Sequence, residues 1–119
     1  MREVDYKKKW DARLKKREEE KGRSAEKLFR LSLIAAQLLA KQFKARKVYL
    51  FGSVASPEFF HEKSDVDLAV EGISAEKYFS ALAKLSGVFG GRKVDLVPLE
   101  DAAPGIKKRI EEKGKLIYG

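Results

Sequence analysis

The chain has no cysteine, and that absence removes disulfide staples, zinc–thiolate centres and thiol nucleophiles together. A long hydrophobic run is also missing. The longest apolar stretch, Leu31 to Ala40, is too short and too interrupted to span a bilayer. The opening residues Met1-Arg2-Glu3-Val4-Asp5-Tyr6-Lys7-Lys8-Lys9 contain no apolar signal core. A cytoplasmic protein is the expectation from these features. Histidine is nearly absent: His61, the single one, falls in a polar stretch and reads as a surface residue. Aromatic residues are not interleaved with the positive charges, as base-stacking platforms would require, so nucleic acid is not expected as a partner. At 119 residues the chain fits one small domain and cannot build a large enclosed substrate chamber by itself.

What the chain has in excess is positive charge, +8 overall, but only in its first part. Residues 1–46 carry 15 Lys/Arg against 7 Asp/Glu, whereas residues 47–119 carry 11 of each. A basic helical arm on a neutral body is implied, with a solvated, salt-bridged helix as the plainer reading of the same charges. We place the boundary between a basic N-terminal extension, 1–23, and the body, 24–119.

The periodicity of the chain suggests its elements. Residues 4–21 are polar and helix-prone, with Tyr6, Trp10 and Leu14 at four-residue spacing. Gly22 should interrupt, and Ser24 can cap a second helix of roughly 25–45 whose stripe is Leu28, Leu31, Ala35, Leu38 and Leu39. Val48-Tyr49-Leu50-Phe51 reads as a buried strand ending at Gly52-Ser53. Ser56-Pro57 can open a short helix. From Asp65 to Val70 the residues alternate, Val66, Leu68 and Val70 on one face and Asp65, Asp67 and Ala69 on the other. Ser74 should cap a helix bearing Tyr78, Phe79, Leu82 and Leu85 that closes near Gly87, and Gly90-Gly91 turns into a strand over Lys93 to Leu99. A last helix follows Pro104-Gly105, then Gly114 and a short Leu116-Ile117-Tyr118 tail. The fold class is α/β (α+β): a small three-stranded mixed sheet flanked by helices, in the order αβαβαβα after the basic N-terminal helix.

Asp65 and Asp67 carry the chemistry. Two residues apart on a strand, they share a face about 6.6–6.8 Å from each other. Two carboxylates drawn to ~4 Å repel by about 4 kcal/mol at an effective dielectric near 20. Either a proton is shared, a hard divalent cation such as magnesium sits between them, or the face is simply wet. Gly52-Ser53, at the end of a buried strand, offers free backbone N–H groups and a hydroxyl to a phosphate, although an ordinary turn has the same look. Asp95 interrupts the apolar run Val94-Asp95-Leu96-Val97, where an unpaired charge is costly. Together they outline a two-metal site, one ion orienting a triphosphate and the other activating a hydroxyl, with Asp95 placed to assist as base.

The string Leu50-Phe51-Gly52-Ser53, followed after ten residues by Ser64-Asp65-Val66-Asp67-Leu68 and then by Asp95, resembles the nucleotidyltransferase superfamily of DNA polymerase beta and the aminoglycoside nucleotidyltransferases. The likeness extends over about Leu28 to Tyr118 and is strongest to the minimal nucleotidyltransferases, the antitoxin half of two-gene HEPN/MNT modules. The tail Pro104…Ile110-Glu111…Gly114…Ile117-Tyr118 is part of it. The resemblance implies a nucleotidyltransferase fold in which Asp65 and Asp67 hold magnesium, Asp95 completes the catalytic and metal set, and Gly52 and Ser53 bind the nucleotide. It implies ATP as substrate, two Mg2+ ions, and a HEPN-domain toxin on a separate chain as partner, since the Arg-x(4–6)-His signature of a HEPN ribonuclease is not in this sequence. One departure stands out: the family often continues Gly-Ser-x-Ala-Arg-Gly, and this chain has Gly52-Ser53-Val54-Ala55-Ser56-Pro57, without the arginine.

The leading expectation is therefore an enzyme that transfers AMP from ATP to a tyrosine of the toxin. The alternatives are a non-catalytic module that neutralises its partner by binding, and a small-molecule nucleotidyltransferase subunit of the aminoglycoside type. Lys63 and Arg92 are further candidates for phosphate contacts, and self-association is left open.

Overall fold

The computed structural model describes the backbone of residues 2–52 and 65–119, and the side chains within this from residue 23 onward. The first helix, α1, runs from Arg2 to Phe43 without a break. At 1.5 Å per residue its 42 residues span about 63 Å, close to the molecule's longest dimension of 66 Å. The expected interruption at Gly22 does not occur. One glycine costs a helix about 1 kcal/mol relative to alanine, and the Glu/Lys/Arg-rich residues around it favour helix strongly enough to carry the chain through. Ser24 accordingly lies inside α1 rather than capping a new helix. The helix ends where Lys44 turns left-handed, φ 62, and the Ala45 N–H donates to the Leu39 carbonyl.

Four strands follow: β1 (Lys47–Phe51), β2 (Val66–Glu71), β3 (Val94–Pro98) and β4 (Lys115–Tyr118). Between β2 and β3 lie a 3-10 turn over Ala75–Lys77 and helix α2 (Tyr78–Val88). Between β3 and β4 lie a 3-10 turn over Leu99–Asp101 and helix α3 (Pro104–Lys113). The sheet order is β3-β2-β1-β4, with β1 antiparallel to both β2 and β4, and β2 parallel to β3. The mixed sheet and helices α2 and α3 agree with the sequence, the short helix expected at Ser56-Pro57 lies outside the described residues, and there is one strand more than expected. The three apolar residues Leu116-Ile117-Tyr118 pair with β1, whose outer N–H and C=O groups would otherwise lie open along an edge. Gly114 makes the tight passage from α3 into β4, since a Cβ there would sit 2.5 Å from the Ile110 carbonyl oxygen.

One sheet face is dry throughout. Val48 and Leu50 of β1, Val66, Leu68 and Val70 of β2 and Leu96 of β3 meet Leu28, Ala35, Ala36, Leu39 and Phe43 of α1 and Ala81 and Leu85 of α2. The buried Ser32 fits this face because its hydroxyl donates to the Leu28 carbonyl. Tyr78 of α2 donates from its hydroxyl to the Leu96 carbonyl at 2.7 Å. The opposite face is only half covered. Tyr49, Ala69, Leu99 and Ile110 form a smaller cluster under α3, with Phe51 and Val97 at its margin. At the Asp67 end of β2 and the Asp95 end of β3, beyond this cluster, the same face bears the carboxylates. Among the described residues no helix is long and apolar enough to cross a membrane.

Candidate active site

The site follows from strand register. In the parallel β2–β3 pair Val66 faces Val94 and Asp67 faces Asp95, so two carboxylates 28 positions apart in sequence become neighbours on one face. The Val66 N–H donates to the Lys93 carbonyl at 3.0 Å and aligns the starts of the two strands. Beside that bond Lys93 Nζ reaches Asp65 Oδ2 at 3.8 Å. In the antiparallel β1–β2 pair Phe51 faces Asp67, which carries the next residue, Gly52, to the same carboxylate. Gly52 has φ +76, and a Cβ on it would collide with Asp67 Oδ2. Both the left-handed backbone and the space therefore require glycine at this point.

The electrostatics are strained. The Asp67 carboxyl is held up to about 6 by burial first, then by the charge of Asp95, a side-chain hydrogen bond with Asp95 and the charge of Asp65, with Lys93 pulling the other way. Of the expected set, Asp67, Asp95 and Gly52 thus come together. Asp65 stands next to them but is turned to Lys93, and among the described residues no three acidic side chains form a ready cluster for an ion. Ser53, His61, Lys63 and the Ser56-Pro57 turn lie outside the described residues. Arg92 is half-buried at the turn before β3.

The donor set nevertheless suits a hard cation. Asp67 and Asp95 supply oxygen ligands that already meet and whose mutual repulsion an ion would relieve. Asp65, paired with the exposed Lys93 and 43% exposed in its side chain, stands beside them.

Sequence reasoning missed the groove on the other side of Gly52. A pocket of about 420 Å³ opens there between the end of β1 and α3, walled by Phe51, Ile106, Arg109, Ile110 and Lys113. The signal was present, since 106, 109, 110 and 113 fall on one stripe of α3. It could not be tied to Gly52 until β1 and α3 were seen side by side.

The family model described as polymerase beta, nucleotidyltransferase, matches residues 35–119. Among curated proteins none shows a significant match. Solved structures do. A minimal nucleotidyltransferase superposes with a TM-score of 0.65 and 29% identity, over 76% of this chain and 92% of that one. A chain of a toxin–antitoxin crystal structure with AMP-PNP gives 0.62 and 26%, over 73% of each chain. The structure of a tri-AMPylated Shewanella oneidensis HEPN toxin in complex with its MNT antitoxin gives 0.52 and 23%, over 83% of this chain and 72% of the other, a likeness of fold.

Proposed function

The chain belongs to the polymerase beta nucleotidyltransferase family, and from that premise we propose that it transfers AMP from ATP to a tyrosine hydroxyl of a HEPN-domain toxin, acting as the antitoxin of the pair. The observation that carries the reading is the meeting of Asp67 and Asp95 in register, with the Gly52 backbone against Asp67. Carboxylates and a phosphate-binding turn within one residue's reach are what a transfer at an α-phosphate needs. The similarity to a toxin–antitoxin chain whose crystal contains AMP-PNP supports both the nucleotide and the kind of partner.

In this reading Asp65, Asp67 and Asp95 hold magnesium, which supplies positive charge against the triphosphate and lowers the barrier to ionising the attacking hydroxyl. Gly52 and Ser53 grip phosphate oxygens through backbone N–H groups and the serine hydroxyl. The acceptor oxygen bonds to the α-phosphorus, the bond from that phosphorus to the bridging oxygen of the β-phosphate breaks, and pyrophosphate leaves. Asp95, exposed on β3, takes the hydroxyl proton. Residues 24–119 form the transferase body and residues 1–23 a basic extension of it. The exposed Asp95 carboxylate is where the acceptor protein approaches.

The test is to incubate the chain with magnesium, ATP labelled in its α-phosphate and the HEPN-domain product of the adjacent gene. Label should pass to a tyrosine of the toxin, and Asp67→Asn should abolish it. An unlabelled toxin, or labelling that survives the substitution, defeats the reading.

A further inference from the structure

Among the described residues of α3 one charge pair is made within the helix, Lys108 Nζ to Glu112 Oε1 at 4.0 Å. Arg109 and Lys113, one turn apart on the stripe that faces the pocket, have no acidic partner among the described residues. Like charges at this spacing disfavour a helix slightly. Gly52 lies against the Asp67 carboxylate and also lines a groove that two cations flank, with Phe51, Ile106, Ile110 and Gly114 among its walls. A molecule with a metal-binding end and a more anionic end would fit across both. In the sequence, Ser56 stands where the family pattern has arginine.

We propose that Arg109 and Lys113 bind the β- and γ-phosphates of the nucleoside triphosphate, holding the pyrophosphate leaving group in the groove between β1 and α3. This rests on the nucleotidyltransferase reading and deepens it. Arginine grips phosphate oxygens with two parallel N–H donors, and lysine adds a point charge at the helix's last turn. The buried Ile110 lies beside Arg109 on the groove wall and lowers the local dielectric on that side of the contact.

The experiment is calorimetric titration, with magnesium present, of inorganic tripolyphosphate, ATP and AMP into the full chain, into Arg109→Gln/Lys113→Gln and into Arg109→Lys. Both positions are exposed on α3, so the variants should unfold at the wild-type temperature. The double variant is expected to bind tripolyphosphate and ATP about thirtyfold more weakly, with AMP affinity unchanged and Arg109→Lys intermediate. Tripolyphosphate binding equal to wild type overturns the assignment. So does an equal loss of AMP affinity, which would put the nucleoside in the groove. A wild type that takes up no ATP defeats the transferase reading and this one together. A wild type that takes it up, beside a double variant that does so equally, defeats only the role of Arg109 and Lys113.

Discussion

Replacing Asp67 by asparagine should make the metal-free protein more stable, although it removes a residue at the centre of the site. Asparagine keeps the shape of the carboxyl and removes the charge. A carboxyl displaced from its usual range near 4 up to about 6 prefers its neutral form by roughly 3 kcal/mol when fully desolvated. Asp67 keeps part of its surface in water, so screening reduces the usable figure to about 1 kcal/mol. The sign follows from proton binding. Between pH 4 and 6 the folded chain holds a proton that the unfolded chain has released, so this group's contribution to stability falls as pH rises through that window and stays low above it. At pH 7.5 with EDTA, Asp67→Asn should therefore raise the unfolding midpoint by about 4 °C. The gain should shrink toward zero as the pH is lowered to 4. Magnesium should raise the wild-type midpoint and leave the variant's nearly unmoved. Thermal unfolding followed by circular dichroism across that pH range, with and without magnesium, gives all three results. A variant that melts at or below wild type at pH 7.5, or a gain that persists at pH 4, would refute the electrostatic account.

Other substitutions probe other parts of the argument. Gly52→Ala places a Cβ against Asp67 Oδ2 on a backbone at φ +76, and should cost about 1–2 kcal/mol in chemical denaturation while abolishing AMP transfer. Leu39→Ala opens a cavity in a fully buried position of α1 and should cost about 2–5 kcal/mol by guanidinium titration, with no specific effect on nucleotide affinity at temperatures where the variant is folded. Tyr78→Phe removes the donor to the Leu96 carbonyl on the face away from the carboxylates; about 1 kcal/mol of stability should be lost and toxin labelling retained.

The sequence disclosed most where a period was strict and long enough to read. Val66, Leu68 and Val70 alternate with Asp65, Asp67 and Ala69, and β2 turns those two sets to opposite faces as the pattern requires. Ala69 nevertheless proves buried, because α3 covers half of the face that the alternation marked as polar. The acidic residues suggested one site and the resemblance named it, but the pairing of Asp67 with Asp95 was not legible, since periodicity places residues on faces and does not say which strands lie together. β4 escaped notice because three apolar residues after Gly114 carry little strand signal, and what makes them a strand is the open edge of β1. The ion pair of Lys93 with Asp65 escaped for a similar reason, as it depends on the aligned starts of parallel strands. At Gly22 local propensity was misjudged: one weak residue does not end a helix whose neighbours all favour it.

The parallel pairing of β2 with β3 also bears on how the molecule reaches its native state. Antiparallel neighbours can zip from a nearby turn, whereas β3 must wait until the chain has crossed over through α2. The repulsion between Asp67 and Asp95 is thus encountered only when this crossover docks, after its loop-closure entropy has been lost. Relieving it, by mutation or by a bound cation, should lengthen the lifetime of the native state far more than it hastens refolding. A chevron would show this as a displaced unfolding limb beside an almost stationary folding limb.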